Sequence, residues 1–324
     1  MPAEWAPHER TLMAWPCRRE LWGDSLAAAK EQYAATANAI SAFEPLTMVV
    51  QSAQDAAEAG AALAGEVEIL ELPIDDSWLR DSGPIFVTGP GGSRAGVHFG
   101  FNSWGEKFTP YDRDAAVGRL LVDYAGDPCY TAPFVLEGGS ICVDGEGTLI
   151  TTEECLLNPN RNPGMSREEI EQGLRDHLGV DTVVWLGQGL VEDRDTDGHV
   201  DLIAAFTRPG EVLLQWQPPY APNAERMADN RERLQAAGLE VVDFPPLAYT
   251  EVDGEVVVAS YLNFYLCNGG VVVPVAGEPS DEDALRRIAA AYPDREVVGV
   301  AGEVIAAGGG GPHCITQQVP ARIA

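Results

Sequence analysis

The chain has 324 residues, 45% of them hydrophobic, enough to bury a large core and near the upper end of what one domain holds. Its 50 Asp and Glu against 21 Lys and Arg give a formal net charge of -29, which argues against a nucleic-acid partner because phosphate backbones would be repelled. No run of 18 apolar residues could span a membrane, no basic-then-apolar leader opens the chain, and six scattered cysteines without a CxxC pair read as reduced thiols, so a cytoplasmic location is expected.

In chain order, helices are predicted from Ser25 to Phe43 (stopped by Pro45), over the Ala-rich stretch 54 to 64, from Asp112 to Tyr124, from Ser166 to Leu178 with Ser166 and Glu169 as a capping box, from Asn223 to Ala237, and from Ser280 to Tyr292. Short β-branched runs follow most of them: LTMVV from Leu46, TVVWL from Thr182, LEVVDF from Leu239 and EVVGV from Glu296. Strand, Gly-rich turn and strand then recur in GPIFVTGPGGSRAGVHF, GGSICVDGEGTLITT, GHVDLIAAFTRPGEVLLQW and YLNFYLCNGGVVVPV, and CITQQV begins a fifth hairpin.

Helix starts at 112, 166, 223 and 280 lie about 55 residues apart, the period of an array of αβ units. Five such units account for residues 1–324 as one domain, with helix 54 to 64 an extra in the first. Units that each bury a face against neighbours can close into a ring, and the polar residues leading into each hairpin then converge on its axis.

Those lead-ins read DDSWLRDSGP (Asp75 to Pro84), LEGGS (Leu136 to Ser140), DTDGHVD (Asp195 to Asp201), a segment around Asn263, and PHC (Pro312 to Cys314). A Cys, a His and several carboxylates at matching places in a repeat imply one site. Carboxylates aimed at a reacting centre call for a cation, and a guanidinium offers a planar fork of donors that they pair with bidentately.

In this reading Asp81 and Asp201 hold the guanidinium carbon before the Cys314 sulfur, and Trp78 either stacks on the cation or packs. The thiolate attacks, His199 protonates departing ammonia and then activates water, and Glu137 orients the imidazole. The same carboxylates should hold the Cys314 thiol protonated until the substrate's own charge arrives.

Plainer readings stand beside these. Cys142 and Cys267 suit inert buried thiols; His8, His98 and His177 suit structural or surface roles, and His313 support for its neighbour. Asp81 could pair with an arginine, and Asp75 and Asp76 could solvate a loop. Asp193, Asp195, Asp197 and Gly198 mimic the start of a calcium loop, but position twelve is Ala204 and the flanks read as strands. The GGGG run lacks the Lys and Ser/Thr of a phosphate loop, so tight turns and close backbone approach explain it better.

The segments MPAEWAPHERTLMAWP, DDSWLRDSGP, FNSWGEKF, LEGGS, NPNRNP, DTDGHVD and GGGGPHCITQQVP, in order from the first residue to 320, resemble the agmatine deiminase and bacterial-type peptidylarginine deiminase family. The resemblance implies a pentein, a five-bladed α/β propeller of five pseudo-symmetric repeats around a central active-site channel. It implies hydrolysis of agmatine to N-carbamoylputrescine and ammonia through an amidino-cysteine, in polyamine biosynthesis, with no metal or organic cofactor.

The family's nucleophile falls on Cys314, its His on His199, its guanidinium carboxylates on Asp81 and Asp201, and its LEGG glutamate on Glu137. Gly311 and Pro312 replace the Asn and Ile of the usual GGGNIHC motif, which leaves the substrate tail open between agmatine, preferred for want of a leader and accessory domains, and arginine or peptidyl-arginine. An amidinotransferase on the same fold and a non-catalytic cation- or polyamine-binding module also fit these residues. The expected partner is a small cationic guanidinium, with no nucleic acid and no membrane, and homo-oligomerisation stays open.

Overall fold

A computed structural model describes residues 1–65 and 67–322. The strands form five sheets of three or four strands and one separate two-stranded hairpin. Four of the sheets repeat one pattern, an antiparallel hairpin, then a helix, then a strand returning parallel to the hairpin's second strand. Blade two is Ile85–Thr88, Arg94–Gly100, helix Asp114–Ala125 and Cys129–Val135; blade three is Ile141–Val143, Thr148–Thr152, helix Arg167–Leu178 and Thr182–Leu186. Blade four is Ala204–Arg208, Glu211–Gln215, helix Ala224–Ala236 and Glu240–Phe244; blade five is Tyr265–Cys267, Gly270–Val275, helix Asp281–Ala291 and Glu296–Ala301.

Blade one draws on both ends of the chain. The fifth hairpin, opened by CITQQV, is completed by the N-terminus: Thr316–Pro320 runs antiparallel to His8–Ala14, with Met13 opposite Thr316. Helix Leu26–Ser41 then leads to Leu46–Val50, parallel to His8–Ala14, and the extra helix, Ala53–Ala62, adds a fourth strand at Val67–Glu71. The pattern is α/β and five-bladed, as the period requires.

Local chemistry explains the elements. In helix Arg167–Leu178 the Ser166 and Glu169 capping box forms, Ile170, Leu174 and Leu178 point inward at i, i+4 spacing, and Gly179 takes the left-handed C-cap at φ 66°. Burying those three side chains contributes about 1.5–3 kcal/mol each. Strand Leu46–Val50 is buried at every residue, as suits a strand covered on both faces.

The hairpin Ala248–Val252 and Glu255–Ala259 stands outside the five-blade pattern and outside the elements expected from the periodicity. Its local signal is the Asp253–Gly254 pair, which takes positive φ at both residues (52° and 82°), the geometry of a type I′ turn. Among the described residues, no helix is long and apolar enough to cross a membrane.

Each blade's first strand is preceded by a short turn, at Leu79–Ser82, Gly138–Ser140, Val200–Leu202, around Asn263, and at residues 312–315. Hydrogen bonds join these turns, with strand Thr148–Thr152 bridging the second and the third. Arg80 N–H donates to the Cys314 carbonyl (3.1 Å), Gly139 N–H to Asp81 Oδ1 (2.9 Å), and the Thr152 hydroxyl to the Gly198 carbonyl (2.7 Å). Asn263 Nδ2 donates to the Asp201 carbonyl (3.4 Å), and His313 N–H to the Asn263 carbonyl (3.0 Å). The links bring residues as far apart in sequence as Arg80 and Cys314 into one ring.

Candidate active site

Cys314 is buried, 5% exposed, at the last of these turns. The glycines before it permit the approach: a Cβ on Gly310 would lie 2.9 Å from the Cys314 sulfur and 2.7 Å from Trp78, and one on Gly311 would lie 2.7 Å from Asn263 Oδ1. The sulfur sits 3.3 Å from Asn263 Oδ1 and 3.5 Å from Asp201 Oδ2. Burial, then the charges of Asp201 and Asp81, push its thiol well above the ordinary range, against weaker help from the Gly311 backbone and Asn263.

Asp81 accepts from Gly139 N–H with Oδ1 and from the Trp104 indole with Oδ2, both at 2.9 Å. Trp104 reaches it from a strained segment in which Ser103, Trp104 and Glu106 all have positive φ. Asp201 accepts from His313 Nδ1 at 2.8 Å with Oδ2, while its Oδ1 is buried without a partner among the described residues. Environment drives the two apart. Burial raises the Asp81 carboxyl, with Asp201 and Glu137 adding to it; the same burial at Asp201 is outweighed by the His313 hydrogen bond and by His313, His199 and Arg80 charge, so Asp201 is lowered.

His199 is fully buried, with Nδ1 3.9 Å from Asp81 Oδ2. Neither ring nitrogen, nor Glu137 Oε2, finds a hydrogen bond among the described residues. Between these groups stands Gly139, where a Cβ would come within 2.6 Å of His199 Nδ1 and 2.9 Å of both Asp81 Oδ1 and Asp201 Oδ2. The second glycine of LEGGS is therefore a matter of space.

Residues whose role was not legible hold the ring from outside. Arg161, in NPNRNP, donates from Nε to Glu137 Oε1 (2.5 Å), from Nη1 to Asp197 (2.8 Å) and from Nη2 to the Thr196 carbonyl (2.9 Å). Lys107, in FNSWGEKF, binds the Arg194 and Asp195 carbonyls and Asp197 Oδ1. Asp193 accepts from the Thr196, Gly198 and His199 backbone. The calcium-like acids thus shape their own loop and aim His199. The motifs are visible in the sequence; that they meet around one loop is not.

Glu137, Cys155 and His199 offer ligand-type atoms all within 4.8 Å of one another and could hold a metal. Burial, with Glu137 adding, pushes the Cys155 thiol far up, so a metal there would have to displace a tightly held proton. The Cys155 position, on a short helix Glu153–Leu156, carried no sequence signal. Cys142 and Cys267 lie in strands, as expected. Of the histidines read as structural, His8 is buried against Glu44.

A cleft of about 350 Å³ leads to the sulfur, lined by Asp76, Trp78, Asp81, Trp104, Asp195 and Cys314 among others. Trp78 both packs and faces it, stacked on Trp22 with centroids 5.8 Å apart. Asp76, rather than solvating a loop, is buried with Oδ2 2.9 Å from Arg18 Nε.

With that geometry in place, residues 1–320 match the model of the Porphyromonas-type peptidyl-arginine deiminase family. The chain belongs to this family. It is 45% identical to an agmatine deiminase of Stutzerimonas stutzeri, over 99% of this chain and 95% of that one. Among solved structures, an agmatine deiminase of Enterococcus faecalis matches with a TM-score of 0.94 at 36% identity, covering 100% of this chain and 96% of that one. A Cys-to-Ser variant of a C. jejuni agmatine deiminase with substrate bound matches with a TM-score of 0.92 at 26% identity, at the same coverage. The fold is the α/β propeller of these deiminases.

Proposed function

We propose that the chain is an agmatine deiminase, hydrolysing agmatine to N-carbamoylputrescine and ammonia, with Cys314 as nucleophile. The observation that carries this reading is the ring itself: a buried thiol faced by two carboxylates at the foot of a narrow cleft, with an enclosed His and Glu beside them. Asp81 and Asp201 bind the guanidinium, and the cation lowers the thiol, which gives up its proton to solvent so that the thiolate adds to the guanidinium carbon. His199 gives a proton to the departing ammonia, then takes one from the water that attacks the S-alkylthiouronium; the C–S bond breaks and Cys314 is restored. Glu137, gripped by Arg161, keeps a carboxylate oxygen within 4.8 Å of the His199 ring and stabilises its protonated form by charge.

The cleft's other acids favour agmatine over arginine. Asp195, whose carboxyl is raised by burial and by Asp193, and Asp76, pushed up to about 6 by burial, line the cleft with Asp81 and Cys314. Asp195 attracts a terminal ammonium and repels the α-carboxylate of arginine, while the charge of Asp76 is already met by Arg18. Ammonia release from agmatine, arginine and an arginyl peptide tests this; activity on arginine but not on agmatine would overturn it. In the same assay Asp195→Asn should raise KM for agmatine about tenfold, near 1.4 kcal/mol, and narrow the preference over arginine. Gly139→Ala should cost on the order of 10²-fold in kcat, because its methyl group displaces His199 and both aspartates.

A further inference from the structure

His313 takes no part in the chemistry above, yet it touches Asp201, one of the two carboxylates that grip the guanidinium. Its ring lines a second cavity, about 270 Å³, shared with Glu4, Cys142, Asp201 and Phe264. Nδ1 lies 2.8 Å from Asp201 Oδ2, and Nε2 lies 2.8 Å from Glu4 Oε1, a residue 309 positions away on the N-terminal segment. A neutral imidazole has one N–H, so two carboxylates at this distance require one more proton. Arg80 closes the group, its Nε donating to the His313 carbonyl at 3.2 Å and its Nη1 3.5 Å from Glu4 Oε1.

We propose that His313 and Glu4 form a positioning pair, in which an imidazolium held by Glu4 clamps Asp201 Oδ2 and presents the free Asp201 Oδ1, ionised, to the substrate guanidinium. The inference rests on the deiminase reading. The proton belongs on the imidazole because both carboxyls are poor acceptors of it. At Glu4, burial is outweighed by His313 and Arg80, which hold the carboxyl at about 2, and Asp201 is lowered too. Burial and Arg80 oppose a charged His313, while Glu4 and Asp201 favour it and win. The charged or titratable groups facing His313 are Asp201, Glu4, Arg80, the adjacent Cys314, and Cys142 across the cavity.

The pair predicts opposite pH slopes for two conservative variants. His313→Gln keeps an N–H for Asp201 but no charge; Asp201 then takes up a proton as pH falls, and kcat/KM relative to the unsubstituted enzyme falls with it. Glu4→Gln leaves an imidazole that is neutral at high pH and regains its proton as pH falls, so its relative kcat/KM rises. Each ratio should change about tenfold between roughly pH 9 and pH 6. Agmatine hydrolysis by the full chain, measured across that range, reads both. Ratios that stay flat, or that slope the same way, overturn the pair, because a purely structural loss has no reason to follow pH in opposite senses. Should His313→Gln not fold, the slope of Glu4→Gln decides alone. Ammonia release by the unsubstituted chain tests the reaction and the slopes test the pair, so the two fail separately.

Discussion

Agmatine turnover falls on the order of 10⁴-fold or more in Cys314→Ser, while agmatine still binds. Serine keeps the approximate size of the side chain but offers an alcohol far harder to ionise than a thiol and a weaker nucleophile. The two carboxylates that grip the cation are untouched, so calorimetry should find a Kd within about tenfold of the KM of the unsubstituted enzyme. Mass spectrometry of quenched enzyme adds a direct reading, an amidino adduct on Cys314 in the unsubstituted chain and none in the variant; adduct formation elsewhere would remove Cys314 from the mechanism. Since burial, Asp201 and Asp81 all disfavour the thiolate, its absorbance at 240 nm should appear at lower pH with a guanidinium ligand than without one. Identical titrations would show that the substrate's charge does not activate the sulfur.

Asp81→Asn should separate two effects of one charge. Removing one partner of a buried charge pair costs roughly 2–5 kcal/mol, so kcat/KM for agmatine should fall by about 30- to 5,000-fold. Yet the free enzyme's thiol loses a negative neighbour, and its alkylation by the uncharged reagent iodoacetamide should accelerate at fixed pH. Slower catalysis with a more reactive thiol is the signature of a substrate-binding carboxylate beside the nucleophile. Slower alkylation together with slower catalysis would mean that Asp81 supports the fold of the site rather than the cation. The amide still accepts from Gly139 N–H through its oxygen, so that link between turns is preserved.

Much of this was legible because it is local and periodic. Helices such as Arg167–Leu178 announce themselves by spacing and caps, and strands Leu46–Val50 and Thr182–Leu186 by β-branched runs. The repeat placed Asp81, Glu137, His199, Asp201 and Cys314 at equivalent positions, and the structure sets all of them at or beside its turns. The roles of Arg161, Lys107 and Glu4 were hidden, although every one lies in a motif that stood out, and His313 was legible only as support for its neighbour. An arginine or histidine in a motif gives no sign of what its long-range partner is.

By itself the amino-acid sequence determined the unit, its count and the residue types brought to each turn, because hydrophobic period and turn chemistry act between near neighbours. Only the tertiary structure decided how the ring closes, with Thr316–Pro320 pairing His8–Ala14, and which acid is which. Asp81 and Asp201 look equivalent in sequence. Asp201 is lowered because His313 and, behind it, Glu4 reach it from opposite ends of the chain, whereas Asp81 has a tryptophan and a backbone N–H at 2.9 Å and the His199 ring only at 3.9 Å. Charge states in a buried site depend on distances between residues that the sequence holds far apart, and folding alone sets those distances.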